Sequence, residues 1–144
     1  MQFDPKNHVN KLCTQRMLLE GEAKRDEAAA LFHQAWNEAT NALEKLIAAH
    51  YVARHQQSVA DKLKWDETAL KFAFEIEGQE IKGVYPSLYL NIAKCHEDLE
   101  NFDKARENYQ SALSYTSFLP DDGYSNMIKA GINNGIERVQ SNTR

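Results

Sequence analysis

The chain has 144 residues, of which 42% are hydrophobic and 26% are charged, and its net charge is -4. These values are typical of one soluble globular domain with a sizeable core. A mildly acidic chain without a basic run is poorly suited to DNA or RNA, so no nucleic acid partner is expected. No apolar stretch reaches the roughly 20 residues of a membrane-spanning helix, and residues 1–8 lack the apolar region of a secretory signal. We therefore expect a cytoplasmic protein with no membrane partner.

Hydrophobic periodicity predicts seven helices, and no run of alternating β-branched residues predicts a strand. The first three helices are predicted over about 6–22, 26–39 and 41–58. Asn41, with Glu44 three residues later, resembles a capping box, in which side chains satisfy the first free amide groups of a helix.

The fourth helix is predicted to begin near Trp65, and the fifth at Pro86, a residue that suits the first helical turn. The sixth helix follows a turn at 101–103. Cys95 falls on the apolar stripe of the fifth helix, so we expect a small core residue there.

The last helix is predicted over about 124–139, with Gly131 and Gly135 on one face. Glycine inside a helix costs about 1 kcal/mol relative to alanine. Two glycines on one face therefore predict that another helix approaches this face closely.

A pattern of apolar residues with the spacing i, i+4, i+7 occurs three times. The triplets are Ala28-Phe32-Ala35, Ala69-Ala73-Ile76 and Ala105-Tyr109-Ala112. Their first residues, at 28, 69 and 105, lie 41 and 36 positions apart. This spacing predicts the inward face of one helix in each of three successive hairpins, and repetition on this scale indicates a helical repeat array.

The third repeat carries a more specific pattern. In order, its residues are Tyr89, Ile92, Ala93, His96, Leu99, Phe102, Ala105, Tyr109 and Ala112. This order resembles the tetratricopeptide repeat (TPR) pattern of aromatic, Leu, Gly or Ala, Tyr, Leu, Tyr, Ala, Phe or Tyr, and Ala. The departures are His96, where the family usually has Tyr, and Glu100, where Gly is common. The whole chain also resembles a group of small bacterial TPR-like proteins without an assigned biochemical role.

The resemblance implies an all-α fold, a TPR-like α-α superhelix of three helical hairpins plus a C-terminal capping helix. Residues 1–144 would form a single domain, with repeats at about 6–40, 41–82 and 86–118. The capping helix would span about 123–140. Such arrays usually bind a protein or peptide, so the expected function is protein binding.

In TPR proteins the first helix of each hairpin lines a concave groove. Carried onto this sequence, the peptide-binding groove would contain Tyr51, Arg54, His55, Asn91 and Lys94. Arg offers two parallel hydrogen bonds to a carboxylate, Lys a point charge and Asn a donor to peptide backbone, so the partner could be acidic. The alternative is that these side chains are ordinary solvated charges on helix surfaces.

Enzyme motifs are absent from the sequence. No Gly-rich nucleotide loop follows a strand, and neither Gly-x-Ser-x-Gly nor His-Glu-x-x-His occurs, so we expect no enzyme, no catalytic residue and no cofactor. Two other functions stay open. The first is self-association into a homo-oligomer through the array ends or the Gly131 and Gly135 face. The second is a metal- or small-ligand-dependent enzyme that uses His50 and His55, although side chains five positions apart diverge by about 140° on a helix.

Overall fold

The computed structural model describes residues 25–142, and these residues form six α-helices and two short 3₁₀ helices. The α-helices are α1 (Arg25–Glu38), α2 (Ala42–Ala53), α3 (Val59–Phe74), α4 (Tyr85–Asp98), α5 (Phe102–Ser114) and α6 (Gly123–Ser141). The 3₁₀ helices are Glu80–Gly83 and Thr116–Phe118. No strand occurs within 25–142, so the predicted all-α class is confirmed. The predicted helix at 6–22 lies outside the described residues. No described helix is both long enough and apolar enough to span a membrane.

The chain divides into two compact units between residues 76 and 77. In the first unit α2 packs against α1 and α3, and in the second α5 packs against α4 and α6. Within the second unit α4 also contacts α6. Each unit is therefore built mainly from helices that are neighbours in sequence.

The junction between α2 and α3 differs from the prediction. Helix α2 ends at Ala53 rather than near Ser58, and α3 begins at Val59 rather than near Trp65. Ser58 is the residue that caps α3, because its Oγ accepts a hydrogen bond from the Asp61 amide at 3.1 Å. Serine is a preferred cap because its hydroxyl satisfies an amide that has no partner within the helix.

The predicted Asn41 cap at the start of α2 is confirmed, although Glu44 reaches back to the amide of Thr40 instead of that of Asn41. The Asn41 side chain accepts from the Glu44 amide at 2.9 Å, and Glu44 in turn accepts from the Thr40 amide at 2.9 Å. Lys45 closes the corner, because its Nζ donates to the Trp36 carbonyl at 3.1 Å and lies 4.1 Å from the centroid of the Trp36 ring. These contacts fix the turn between α1 and α2 through side chains close in sequence.

The inward faces predicted from the three triplets are confirmed by burial. Ala28, Phe32 and Ala35 are fully buried, and so are Ala69 and Ala73. The same holds for Ala105, Tyr109 and Ala112 of the third triplet, whereas Ile76 is half-buried. Cys95 is also buried, as predicted.

Both glycines of α6 lie against another helix, which confirms the predicted close approach. A side chain at Gly135 would overlap the ring of Tyr109 on α5, since three ring carbons lie within 2.8 Å of the Cβ position. A Cβ at Gly131 would lie 3.3 Å from Leu90 on α4. The glycine face is thus covered by the unit itself and does not offer a surface to a second copy.

Candidate functional site

Three of the predicted groove residues lie in the first unit, at or just beyond the end of α2. Tyr51 is only 7% exposed, and its ring stacks on Phe32 with centroids 5.0 Å apart. His55 is half-buried and stacks on the same ring at 4.9 Å. Arg54 is exposed, with its guanidinium carbon 5.7 Å from the Tyr51 ring centroid. Tyr51 therefore belongs to the core of this unit, and Arg54 is the side chain of the three that solvent reaches most.

The other two predicted residues lie on α4 in the second unit. Asn91 is half-buried and Lys94 is exposed. The Lys94 ammonium forms an ion pair with Asp98 at 2.7 Å, one helical turn further along. Both partners are exposed, and such surface pairs contribute only about 0.3–0.5 kcal/mol, so an incoming group could replace either partner at little cost.

Helix α4 lies beside α6, and two contacts fix their relative direction. Leu90 meets Gly131, and Glu97 forms an ion pair with Arg138 at 2.8 Å. The partners are 41 positions apart in both contacts, because 131 follows 90 and 138 follows 97 by the same number. The two helices therefore run parallel, with each residue of α4 beside the residue 41 positions later on α6.

One side of this helix pair is open to solvent. Spacings of three and four residues place Asn91, Lys94 and Asp98 along one side of α4, and Met127, Ala130 and Asn134 along one side of α6. We call this surface of six residues the α4–α6 face. Met127 is 62% exposed, and Ala130 and Asn134 are also exposed.

The α4–α6 face points away from α5. Helix α5 packs through Tyr109 against Ala93 of α4 and Gly135 of α6, which lie across the line of contact from the open side. The half-buried Leu90 and Gly131 form that line of contact, so they lie at the bottom of the face.

A polar network joins the three helices of the second unit. Arg138 donates from Nε to Glu97 Oε2 at 2.8 Å and from Nη2 to Oε1 at 3.1 Å. The Tyr109 hydroxyl donates to Glu97 Oε1 at 2.6 Å. Both Glu97 oxygens are therefore occupied, and the carboxylate, 13% exposed, is held by directional bonds from α5 and α6.

The network also sets the charge states of its members. Burial by itself would raise the pKa of Glu97, but hydrogen bonds from Arg138 and Tyr109 hold that pKa below its ordinary value. Burial and the adjacent Glu97 raise the pKa of Tyr109. Glu97 therefore stays ionised and Tyr109 stays protonated near neutral pH, an arrangement suited to holding helices together.

The sequence analysis missed the pairing of Glu97 with Arg138. The two residues lie 41 positions apart, outside any local pattern. The sequence did contain a partial signal for this network, because Tyr109 occupies the position that Phe32 has in the first triplet. A hydroxyl at such a position requires a buried partner.

His50, a candidate metal ligand in the sequence analysis, lies in α2 with its Nδ1 atom inside the protein. This atom is buried, and no side chain or backbone group within residues 25–142 bonds to it. Burial, and then the positive charges of Arg54 and Lys62, lower the pKa of His50 to about 4, so the ring is neutral at pH 7. In the same stretch of chain, no three His, Cys, Asp or Glu side chains converge as they would around a metal ion.

The larger aromatic side chains pack against one another. Both tryptophans of the chain lie in the first unit, where Trp36 and Trp65 meet edge to face with centroids 5.0 Å apart. In the second unit Tyr85, Tyr89 and Tyr115 form a triangle of rings with centroids 4.9–6.3 Å apart. These spacings are those of packed rings, and a cation between the three tyrosines would have no room.

No protein-family model matches the chain, and no curated protein sequence matches it. The resemblance to tetratricopeptide repeats therefore stays a prediction from the residues quoted above.

Proposed function

We propose that the protein is a TPR-like interaction module that binds a peptide, or an extended segment of another protein, on the open side of its helical hairpins. Two features of the fold support this function. Each unit is built mainly from helices adjacent in sequence, as in repeat arrays, and two of the three repeated inward faces consist of alanines around an aromatic residue.

The observation that carries the proposal is the α4–α6 face. Two parallel helices in direct contact leave exposed side chains on one side, with Leu90 and Gly131 at the line of contact beneath them. A surface of this shape suits an extended or helical segment laid along it, because such segments present side chains at regular intervals.

The predicted residues would then have different roles. Asn91 would hydrogen-bond to the backbone of the bound segment, and Lys94 would exchange Asp98 for a group of the partner. In the first unit Arg54 is the exposed cation, whereas Tyr51 and His55 are packed around Phe32 and would position the end of α2.

A pull-down from native lysate tests the proposal. Wild-type protein is compared with the double variant Arg54→Ala/Lys94→Ala, and captured proteins are identified by mass spectrometry. We expect at least one protein to be retained by the wild type and lost by the double variant.

The matched control is Lys64→Ala/Lys104→Ala, which removes the same charge from exposed positions on α3 and α5. Partners that both double variants retain would place binding on another surface. Recovery of the protein alone would favour self-association over the proposed function.

A further inference from the structure

The exposed part of α6 is unusually poor in charge. Over 123–134 the exposed side chains are Tyr124, Asn126, Met127, Ala130, Asn133 and Asn134, and none is charged. The one charged residue in this stretch, Lys129, is half-buried. Tyr124 and Met127 are 59% and 62% exposed, the two most exposed large apolar side chains in the described chain.

On the α4 side of the face, each charged side chain is paired with a side chain of opposite charge. Lys94 is paired with Asp98, and the neighbouring Arg138 is paired with Glu97. Asn91 is neutral and half-buried. The α4–α6 face is therefore electrically neutral along its length.

Other helices of the same chain show that this neutrality is local. Helix α5 exposes Asp103, Lys104 and Glu107, and α3 exposes Lys64, Glu67 and Lys71. The cores of protein interfaces are depleted in charged residues and enriched in Tyr and Met. The exposed stretch of α6 over 123–134 has this composition, whereas the outer surfaces of α3 and α5 have that of ordinary solvated helices.

We propose that the α4–α6 face recognises an uncharged segment of its partner, with an apolar side chain on Met127 and Leu90 and the backbone bonded by Asn91 and Asn134. This inference rests on the proposed function, and it specifies a partner segment that is uncharged instead of acidic. A carboxylate on this face would lose water and would gain a cation only by displacing Asp98 from Lys94, so its net gain would be small. The amide side chain of Asn, in contrast, offers both a donor and an acceptor, which matches a peptide unit.

A display library of random 12-residue peptides, selected on the wild-type protein, tests the inference. The recovered peptides should be depleted in Asp, Glu, Lys and Arg relative to the unselected library. Their affinity for Met127→Glu should be at least about tenfold weaker, because a charge would then face the apolar anchor. The affinity for Asn134→Ala should be about three- to tenfold weaker, through loss of one backbone hydrogen bond.

Leu113→Glu is the matched control, since Leu113 is a 43% exposed apolar residue on α5 and lies outside the α4–α6 face. This variant should bind the selected peptides like the wild type. Circular dichroism of both Glu variants should match the wild type, because both positions are exposed.

Each other outcome overturns the inference in a distinguishable way. Acidic peptides that depend on Arg54 or on Lys94, but not on Met127, would keep the proposed function and reject a neutral partner. Neutral peptides that bind Met127→Glu unchanged would place their site elsewhere. If the library yields nothing and Met127→Glu dissociates a wild-type dimer in light scattering, a second copy covers the face. If it yields nothing from a monomer, both the inference and the proposed function fail.

Discussion

Helices α1 and α5 carry the same triplet, Ala-aromatic-Ala, but bury its aromatic residue in different ways. Phe32 on α1 lies among rings, stacked on Tyr51 and His55. Tyr109 on α5 is equally buried, but its hydroxyl bonds to Glu97, which also binds Arg138. The described contacts of Phe32 are thus with other rings, whereas Tyr109 has a ring with a hydrogen-bonded polar end.

The comparison shows how one hydroxyl group changes the way a buried aromatic side chain holds the neighbouring helices. Apolar packing is non-directional and tolerates small shifts of one helix along another. A charged hydrogen-bond network fixes the positions of its members because its energy depends on distance and angle. We expect the second unit to hold its helices in a more sharply defined register than the first.

The largest expected effect is at Gly135, where the Tyr109 ring requires the absence of a side chain. Gly135→Ala should lower the free energy of unfolding by about 3 kcal/mol, because the buried ring cannot move aside without strain. Urea unfolding followed by circular dichroism measures this change. Gly131→Ala is the control, and a stability equal to or slightly above wild type is expected there, since Leu90 has room to adjust. Equal loss in both variants would show that the Tyr109 contact is not the cause.

The second prediction concerns a hydroxyl group added to the central aromatic residue of the first unit. Phe32→Tyr should lower the free energy of unfolding by about 2 kcal/mol, because a hydroxyl is added to a fully buried ring whose described neighbours are other rings. Trp36 and Trp65 report this loss through their fluorescence during urea unfolding, since both lie in the same unit. An unchanged midpoint would mean that the site supplies a polar partner and that the two anchors are interchangeable.

Acid should destabilise the two units over different pH ranges. His50 in the first unit has a folded pKa of about 4 against 6.5 for the free side chain. The unfolded chain therefore takes up the proton first, and the stability that His50 contributes is complete above pH 6.5 and is lost as pH falls towards 4. The loss should reach roughly 2 kcal/mol.

Glu97 makes the second unit lose stability over a lower pH range. Its folded pKa lies below the ordinary 4.5, so the stability it contributes is present above that value and is lost as pH falls below it. Tryptophan-detected unfolding between pH 7 and 4 tests the contrast. His50→Gln should remove the pH dependence between 6.5 and 4.5, and Glu97→Gln should leave it intact. The same slope in wild type and His50→Gln would rule out His50 as its source.

The smallest effect is expected when the hydroxyl is removed from the second unit. Tyr109→Phe should reduce the free energy of unfolding by about 1 kcal/mol, because Glu97 keeps both hydrogen bonds from Arg138. A double-mutant cycle with Arg138→Ala measures whether the hydroxyl and the guanidinium act together. Strict additivity would contradict a cooperative network.

The local features of the fold could be predicted from the sequence, because their causes lie within one or two helical turns. The alanine triplets, the Asn41 cap and the two glycines of α6 are such cases. The end of α2 was placed wrongly because residues 54–58 contain no glycine or proline that would mark the end of a helix. The hydroxyl of Ser58, not the apolar pattern, decides where α3 begins.

The candidate site was less accessible from the sequence. Lys94 and Asn91 were named from the family pattern, but the residues beside them on α6 lie about 40 positions away and share no local signal. The neutrality of α6 depends on which of its side chains are exposed, and only the fold separates Lys129 from Met127. Tyr51 was assigned to a groove because the first helix of each hairpin lines the groove in TPR proteins, whereas here it stacks on Phe32.

The overlap between Tyr109 and position 135 also constrains how this chain can diverge. A relative that replaces Tyr109 by a small residue would free position 135 to accept alanine or serine, whereas one that keeps the large ring must keep the glycine. The two positions should therefore vary together over evolutionary time. The second triplet of this chain carries Ala73 in place of an aromatic residue, so this position of the triplet also accepts a small side chain.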